Sequence, residues 1–200
     1  MDVKSRWVRY LIYLIWLFFL FSIIYDLFVL PTRAIFWVSE LIFAVIIYYK
    51  CKIPAWVYFS ILALFLANLF GELFLGLFYI FPIFDKFIHL FAPIALCSFF
   101  YFIFEKKIPN KKILILFSVA MLLSCGLVWE LIEHFFDYYF NTFLQGVHLL
   151  GVETYETGPI EVMSRLDDTI YDMFFNFIGS IFFAVGALFA LHKKDKKKKI

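Results

Sequence analysis

The chain has 200 residues, of which 64% are hydrophobic and 24% aromatic, and its formal net charge is +2. A soluble domain of this length could not bury so much apolar surface, so the composition excludes a soluble globular protein and indicates a membrane protein. The three cysteines, Cys51, Cys97 and Cys125, lie in or beside apolar runs and predict neither a disulfide nor a zinc knuckle.

Six apolar runs are long enough to cross a bilayer as helices. The first follows basic residues, as a signal peptide would, but it is too long and lacks a small-residue cleavage site, which predicts a retained anchor. The predicted fold is an all-α membrane protein with a single multi-pass domain over residues 1–200. Its spans are predicted at about 7–30, 34–49, 55–81, 84–104, 113–140 and 168–191, with an outer loop at 141–167.

The distribution of lysine and arginine predicts the orientation of the six helices. If the N-terminus lies in the cytoplasm, 15 of the 18 basic residues fall on the cytoplasmic side, six of them lysines of the C-terminal tail. This asymmetry follows the positive-inside rule and predicts that both termini are cytoplasmic. The lysine-rich tail is interpreted as an orientation and lipid-headgroup signal, not as a segment that binds nucleic acid.

Acids and histidines within the spans gather in the half of the membrane that this orientation places outside. A charge in the hydrocarbon layer costs roughly 2.5 kcal/mol or more, so such residues are candidates for a functional site. Apart from residues at their ends, the inner halves of the spans contain no charged residue or histidine. The outer halves contain Asp26, Glu40, Glu72, Asp85, His89, Glu130, Glu133, His134, Asp137, Asp168 and Asp172.

Helical spacing predicts that spans four, five and six share one polar site. A rise of about 1.5 Å per residue places His89, Glu133 and Asp172 at a similar depth, and the cost of facing lipid predicts that they face one cavity. Asn176 and Glu72 are expected to form its floor. Small residues on the same helix faces predict close helix packing, and these are Gly126, Gly179 and Gly186.

The predicted site contains more acids than bases, which indicates protonated carboxyl groups or a bound cation. Its oxygens and imidazoles favour a divalent cation such as Mg²⁺, Ca²⁺ or Mn²⁺, or Zn²⁺ if both histidines are ligands. The candidate metal ligands are Glu133, Asp172, His89, His134 and Asp137. The candidate catalytic residues are Glu130, as a general base, with Glu133 and His89. The candidate ligand-binding residues are Asp85, Lys86, Arg165, Asp168, Asn176 and Glu72, of which Lys86 and Arg165 could receive an anionic group.

Simpler interpretations exist for several of these residues. Glu130 and His134 are four residues apart and could pair on their own helix. Asp26 and Glu40 could be polar caps at the membrane interface. Asp137 and Asp168 could be ordinary helix-end residues, with Asp168 as the N-cap of the sixth helix.

Two sets of short motifs resemble known membrane-protein families. DKFIH at Asp85–His89, followed by Arg165, Asp172, Asn176 and Gly179, resembles the VanZ-like family, which carries a similar Asp-Lys-x-x-His and a later Arg…Asp-x-x-x-Asn-x-x-Gly. WELIE at Trp129–Glu133 and DTIYDM at Asp168–Met173 are similar to the YjdF-type family of uncharacterised inner-membrane proteins. VanZ-like proteins usually have Glu followed by Gln in the middle helix, where this chain has Glu130 and Glu133. The YjdF-type resemblance implies a multi-pass architecture with a polar site and no established reaction.

Three functions are compatible with these features. The first is a cell-membrane protein whose site faces the extracytoplasmic side and binds a cation together with an envelope or lipid-headgroup ligand. The second is a metal-dependent hydrolase or transferase acting on a lipid-linked substrate, with water-based chemistry because no nucleophile motif is present. The third is a cation- or proton-coupled transporter. The expected partners are membrane lipids and a lipid-linked or envelope ligand, with no nucleic acid.

Overall fold

The computed structural model describes residues 6–81, 83–140, 142, 144–149 and 160–198. Its described helices are α1 (Arg6–Val29), α2 (Pro31–Lys50), α3 (Ala55–Leu69), α4 (Leu77–Ile80), α5 (Phe84–Phe104), α6 (Lys111–Phe140) and α7 (Arg165–Lys198), with a π-helical turn at Phe70–Phe74. Two strands, β1 (Val147–Leu149) and β2 (Ile160–Met163), lie between α6 and α7. Within the described ranges, six helical segments are long and apolar enough to cross a membrane, which confirms the predicted all-α membrane fold.

The first of two compact units comprises residues 1–65 and contains α1, α2 and most of α3. Within it, α1 packs against α2, and the fully buried Asp26 joins the two helices. Arg33 donates to both oxygens of the Asp26 carboxylate, at 2.8 and 2.6 Å, and the indole N–H of Trp37 donates to it at 2.6 Å. Asp26 is therefore a buried link between helices and not the interfacial cap that one interpretation of the sequence had offered.

The second unit comprises residues 66–200 and has α5, α6 and α7 packed against one another. Two glycines on the packed faces permit close approach. A Cβ at Gly179 would overlap the carbonyl oxygen of Leu90 and lie 2.9 Å from the ring of Pro93, and a Cβ at Gly126 would lie 3.2 Å from the amide of Asn176. Gly186, which was expected to act in the same way, has nothing within 4 Å among the described residues.

The third predicted span differs from the observed helix at its end. The sequence predicted one span to residue 81, but the helical run stops at Phe74 and a four-residue helix, α4, follows. Gly76 adopts a φ of 59°, a left-handed conformation that glycine accepts at little cost and that ends a right-handed helix. The hydroxyl of Tyr79 on α4 donates to Glu72 at 2.7 Å, so the chain after the break lies back against the π-helical turn.

The predicted outer loop contains secondary structure that the sequence analysis missed. β1 and β2 form an antiparallel pair, and β1 packs against α4. Helix α7 begins at Arg165 and not at residue 168, because Ser164 caps it: the Ser164 hydroxyl accepts from the N–H of Asp167 at 3.2 Å and donates to its carboxylate at 2.7 Å. Asp168 is therefore not the N-cap. Residues 150–159 of the predicted loop lie outside the described residues.

Candidate functional site

Polar residues from three helices of the second unit meet where α5 and α7 begin and α6 approaches its end. Asp168, Asp172 and Asn176 are spaced four residues apart, so they lie along one face of α7. We call the group formed by these residues and their neighbours the polar cluster. It consists of Asp85, Lys86, His89, Glu130, Asp168, Asp172 and Asn176.

Lys86 lies at the centre of the polar cluster. Its ammonium group donates to Asp172 at 2.6 Å, to Asp85 at 3.0 Å and to Asp168. The lysine side chain is only 5% exposed, so its charge is acceptable there because three carboxylates satisfy its three donors. The sequence predicted that Lys86 receives an anionic ligand, but in this arrangement its donors are used within the protein.

His89 lies between the carboxylates of Asp85 and Asp172 on one side and the side-chain amide of Asn176 on the other. Its Nε2 lies 3.5 Å from a carboxylate oxygen of Asp85 and 3.9 Å from one of Asp172, and its Nδ1 lies 3.0 Å from the amide of Asn176. An amide can present either its oxygen or its nitrogen to the ring. The Asn176 side-chain nitrogen faces Nδ1 here, so it donates to Nδ1 and a neutral ring carries its proton on Nε2, toward Asp85 and Asp172. Turning the amide over would put the proton on Nδ1 and free the lone pair of Nε2.

Asp85, His89 and Asp172 could hold a metal ion. Each offers one ligand atom, and these atoms lie within 4.8 Å of one another. Two metal–ligand bonds of about 2.1–2.3 Å span at most about 4.6 Å, so only a small inward movement is needed for all three to reach one ion. Among the described residues, no comparable group of three includes Glu133, His134 or Asp137.

Glu130 is buried without a hydrogen bond. The residue is 3% exposed, and neither oxygen of its carboxyl group has a hydrogen-bond partner among the described residues. The group is within electrostatic range of His89, Asp168 and Asp85, and the hydroxyl of Thr169 on α7 is also close. Buried polar groups are rarely left unpaired, so Glu130 is the one member of the polar cluster whose surroundings call for an additional partner.

Glu133 lies beside the polar cluster, one turn further along α6. It is half-buried and interacts electrostatically with Asp85, Glu130 and Asp172. Its carboxyl group also lies near the indole of Trp129. The structure therefore brings Glu133 within electrostatic range of Asp172, although not into the three-ligand group.

Asp137 and His134, two further predicted metal ligands, contact the segment that follows α6. Asp137 accepts from the Thr142 hydroxyl at 2.7 Å and from the N–H groups of Leu144 and Gln145 at 2.8 and 3.0 Å. The Nδ1 of His134 lies 3.2 Å from the side-chain oxygen of Gln145, and the residue is exposed. Asp137 thus stabilises the turn that follows α6. The alternative pairing of Glu130 with His134 is not formed, since the His134 ring contacts Gln145 instead.

Arg165 and Glu72, both predicted to bind a ligand, have other contacts in the structure. The Nε of Arg165 lies 3.9 Å from Asp137, and its side chain is 48% exposed. Glu72 accepts the hydrogen bond from Tyr79 described above. The described contacts therefore place Arg165 beside the turn after α6 and Glu72 beside α4.

Gln145 is a site residue that the sequence analysis missed. Its side-chain amide donates to the hydroxyl of Thr169 at 3.0 Å and lies 3.4 Å from the backbone oxygen of Glu130. The next residue, Gly146, donates its N–H to Asp168 at 2.8 Å. A residue in a loop has no periodic pattern, so no signal in the sequence marked Gln145.

The charges of this region do not balance. Asp85, Glu130, Glu133, Asp168 and Asp172 supply five carboxyl groups, whereas Lys86 supplies one permanent positive charge. Carboxylates this close cannot all remain charged in a poorly solvated place unless cations or protons join them. The arrangement can therefore take up positive charge.

The sequence model of the family described as "Predicted membrane protein (DUF2238)" matches residues 6–194, so the chain belongs to this family. No curated protein and no solved structure matches the chain. The resemblance to an uncharacterised membrane-protein family is thereby confirmed at the level of a predicted membrane protein.

Proposed function

We propose that this DUF2238 protein binds a divalent cation through Asp85, His89 and Asp172 and, with it, an envelope or lipid-headgroup ligand. The observation that carries the proposal is the convergence of three ligand atoms within 4.8 Å of one another, in a region where carboxyl groups outnumber cations. The contact between Asn176 and His89 supports it, because an amide that turns its oxygen toward Nδ1 would accept the ring proton and leave Nε2 free to ligate, as is typical of metal sites.

The nature of the ligands indicates which ions would fit. Two carboxylates and one imidazole suit Mn²⁺ or Zn²⁺, and Mg²⁺ or Ca²⁺ would need additional oxygen ligands or water. We take Mn²⁺ as the first ion to test, since it accepts both oxygen and imidazole ligands.

The position of the polar cluster supports a headgroup ligand. Asp85 and Asp168 lie in the first turns of α5 and α7, at the ends of segments long enough to cross a bilayer. The ends of such helices lie at headgroup depth. By the positive-inside rule, we propose that these ends face the extracytoplasmic side of the cell membrane and that both termini are cytoplasmic.

Cation binding is expected to stabilise the purified protein. A ligand that binds only the folded state raises the melting temperature by mass action, so Mn²⁺ at about 100 times its Kd should raise it by roughly 5 °C. Asp172→Asn should remove most of this gain, because the variant keeps the shape of the side chain and loses a charged ligand. Thermal unfolding in detergent, with Mn²⁺ or with EDTA, measures the difference.

Glu105→Gln is the matched control for that experiment. Glu105 pairs with Lys111 at 3.1 Å, away from the polar cluster, and both side chains are partly exposed. This variant should retain the full gain from Mn²⁺. Equal melting temperatures of the unsubstituted protein in EDTA, Mn²⁺, Zn²⁺, Mg²⁺ and Ca²⁺ would contradict the proposed function.

Labelling of single cysteines tests the proposed orientation. In a background without Cys51, Cys97 and Cys125, Glu161→Cys should react with a membrane-impermeant maleimide on intact cells or spheroplasts. Lys196→Cys should react only after the membrane is opened. Reaction of Lys196→Cys from outside would place the polar cluster on the cytoplasmic side.

Catalysis on a lipid-linked substrate is a second candidate function, and the unpaired Glu130 favours it. A buried carboxyl group without a hydrogen bond, next to a metal site, is suited to accept a proton from a bound water. The VanZ-like resemblance of Asp85–His89 and of Asp172 to Gly179 supports a role in the cell envelope.

A further inference from the structure

We infer that Glu130 and Glu133 form a subsite for a primary ammonium group, carried by the headgroup whose phosphate the cation would hold. This inference rests on the proposed function, since it names the chemical class of the ligand at the same site. The ligand class is a headgroup with an ammonium beside a phosphate, of which phosphatidylethanolamine is the simplest example.

Glu130 provides the first argument. Both of its carboxyl oxygens are buried and form no close hydrogen bond among the described residues, and the Thr169 hydroxyl is a nearby donor that does not complete one. Hydrogen bonds to a charged group stabilise by more than those between neutral groups, and a buried carboxyl group without them is costly. An ionised Glu130 therefore takes a donor as its additional partner, whereas a bare phosphate or a carboxylate could meet Glu130 only in its protonated form.

The charge balance decides which donor is suitable. With a divalent cation bound, the five carboxyl groups of this region would still exceed the positive charge of the cation and Lys86 together. The cation and Lys86 would balance Asp85, Asp168 and Asp172, which leaves Glu130 and Glu133 without a positive charge beside them. The headgroup as a whole is neutral, but its ammonium group would bring up to three donors and a positive charge to these two residues, whereas a hydroxyl group would bring a donor without charge. An ammonium group is therefore a better partner for Glu130 and Glu133 than a hydroxyl group.

Lys86 shows that the polar cluster can surround a primary ammonium. One such group is already held there by carboxylates from two helices, at 2.6 Å from Asp172 and 3.0 Å from Asp85. Glu130 and Glu133, three residues apart on α6, offer a second set of carboxyl oxygens, and they interact with each other electrostatically. A quaternary ammonium has no N–H group and could not satisfy them in this way.

The route to this subsite passes the less buried members of the region. Glu133 is half-buried, and the side chain of Asp85 is 26% exposed, whereas Glu130 lies beneath them. A headgroup entering beside Asp85 and Glu133 would place its phosphate near the metal ligands and its ammonium near Glu133 and Glu130.

Mixed micelles of defined lipid test the inference with the full-length protein. Melting temperatures would be compared in detergent containing phosphatidylethanolamine, phosphatidylcholine or phosphatidylglycerol, each with Mn²⁺ and with EDTA, and also with free ethanolamine. With Mn²⁺, phosphatidylethanolamine at about 100 times its Kd should raise the melting temperature by about 5 °C relative to phosphatidylcholine. Free ethanolamine should give a smaller rise, because it lacks the phosphate.

Glu130→Gln should abolish the difference between the two lipids, since glutamine keeps the size and an acceptor oxygen but removes the charge. Glu133→Gln provides a second variant should the first fail to fold, and Glu105→Gln should keep the difference. Each comparison is made within one variant, so a general change in stability does not affect it.

The outcomes separate this inference from the proposed function. Equal melting temperatures in the two lipids, with the Mn²⁺ gain intact, would overturn the ammonium subsite and leave cation binding standing. A larger gain from phosphatidylglycerol than from phosphatidylethanolamine would likewise overturn it, in favour of a hydroxyl donor. A stabilisation by phosphatidylethanolamine that persists in EDTA and is lost in Glu130→Gln would support the ammonium subsite. If Mn²⁺ gave no stabilisation in that experiment, only the proposed cation binding would be overturned.

Discussion

Replacing Lys86 with methionine is expected to destabilise the protein strongly. The ammonium group is buried and donates to three carboxylates, so its removal leaves Asp85, Asp168 and Asp172 close together without their shared positive charge. Removing one partner of a buried ion pair typically costs about 3–5 kcal/mol. For a chain of this size, a loss of that order lowers the melting temperature by about 10 °C.

Lys111→Met is the matched control for this prediction. Lys111 also pairs with a carboxylate, Glu105, but these side chains are 35% and 42% exposed, and solvent-accessible pairs contribute about 0–1 kcal/mol. Equal losses of stability in Lys86→Met and Lys111→Met would show that Lys86 does not hold the carboxylates together.

A divalent cation should recover part of the stability lost in Lys86→Met, because the cation can take the place of the ammonium between the carboxylates. Melting curves of this variant in Mn²⁺ and in EDTA measure the recovery.

Replacing Gly179 with alanine is expected to separate α7 from α5. The added methyl group would occupy the position of the Leu90 carbonyl oxygen and would press on the ring of Pro93. Neither neighbour can rotate away, since one is backbone and the other is a ring fixed to it. Overpacking of this kind costs about 1–3 kcal/mol. His89 and Asn176 lie on these same two helices, so their contact should weaken and the gain from Mn²⁺ should fall as well.

Gly186→Ala tests whether the loss at Gly179 comes from crowding. Gly186 is on the same helix, and no described atom lies within 4 Å of an added Cβ. Alanine favours a helix over glycine by about 0.8–1 kcal/mol, so this variant should be as stable as the unsubstituted protein or slightly more stable. If the two alanine variants melt at the same temperature, the close approach at Gly179 is not important for stability.

Around Lys86, the helical spacing of the sequence was read correctly, but it did not identify the contacts between helices. The spacing of Asp168, Asp172 and Asn176 correctly indicated one face of α7, since residues four apart lie on the same side of a helix. The sequence assigned Lys86 to an anionic ligand, whereas its three donors meet Asp85, Asp168 and Asp172. Periodicity predicts the direction in which a side chain points from its own helix, but it does not predict which atoms of a neighbouring helix that side chain contacts.

Asp137 and Gln145 illustrate a second kind of limit. Asp137 lies on the same stripe of α6 as Glu130 and Glu133, which made it a candidate metal ligand, yet its oxygens accept from the residues that follow the helix. Gln145 belongs to that following segment, where no repeat marks a buried residue. Contacts between a helix end and the next loop depend on the path of the chain, and composition carries no signal for that path.

The amino-acid sequence by itself determined the class of the protein, the six apolar helices and the region in which the acids gather, because the cost of placing charge in hydrocarbon acts on each residue wherever its helix packs. It also indicated the close packing at Gly126 and Gly179. Only the tertiary structure decided that Lys86 is enclosed by three carboxylates, that Asp85, His89 and Asp172 converge, and that Glu130 is buried without a hydrogen-bond partner among the described residues. Those features depend on the rotation and depth of α5, α6 and α7 relative to one another, which packing across the whole unit sets and which no local pattern records.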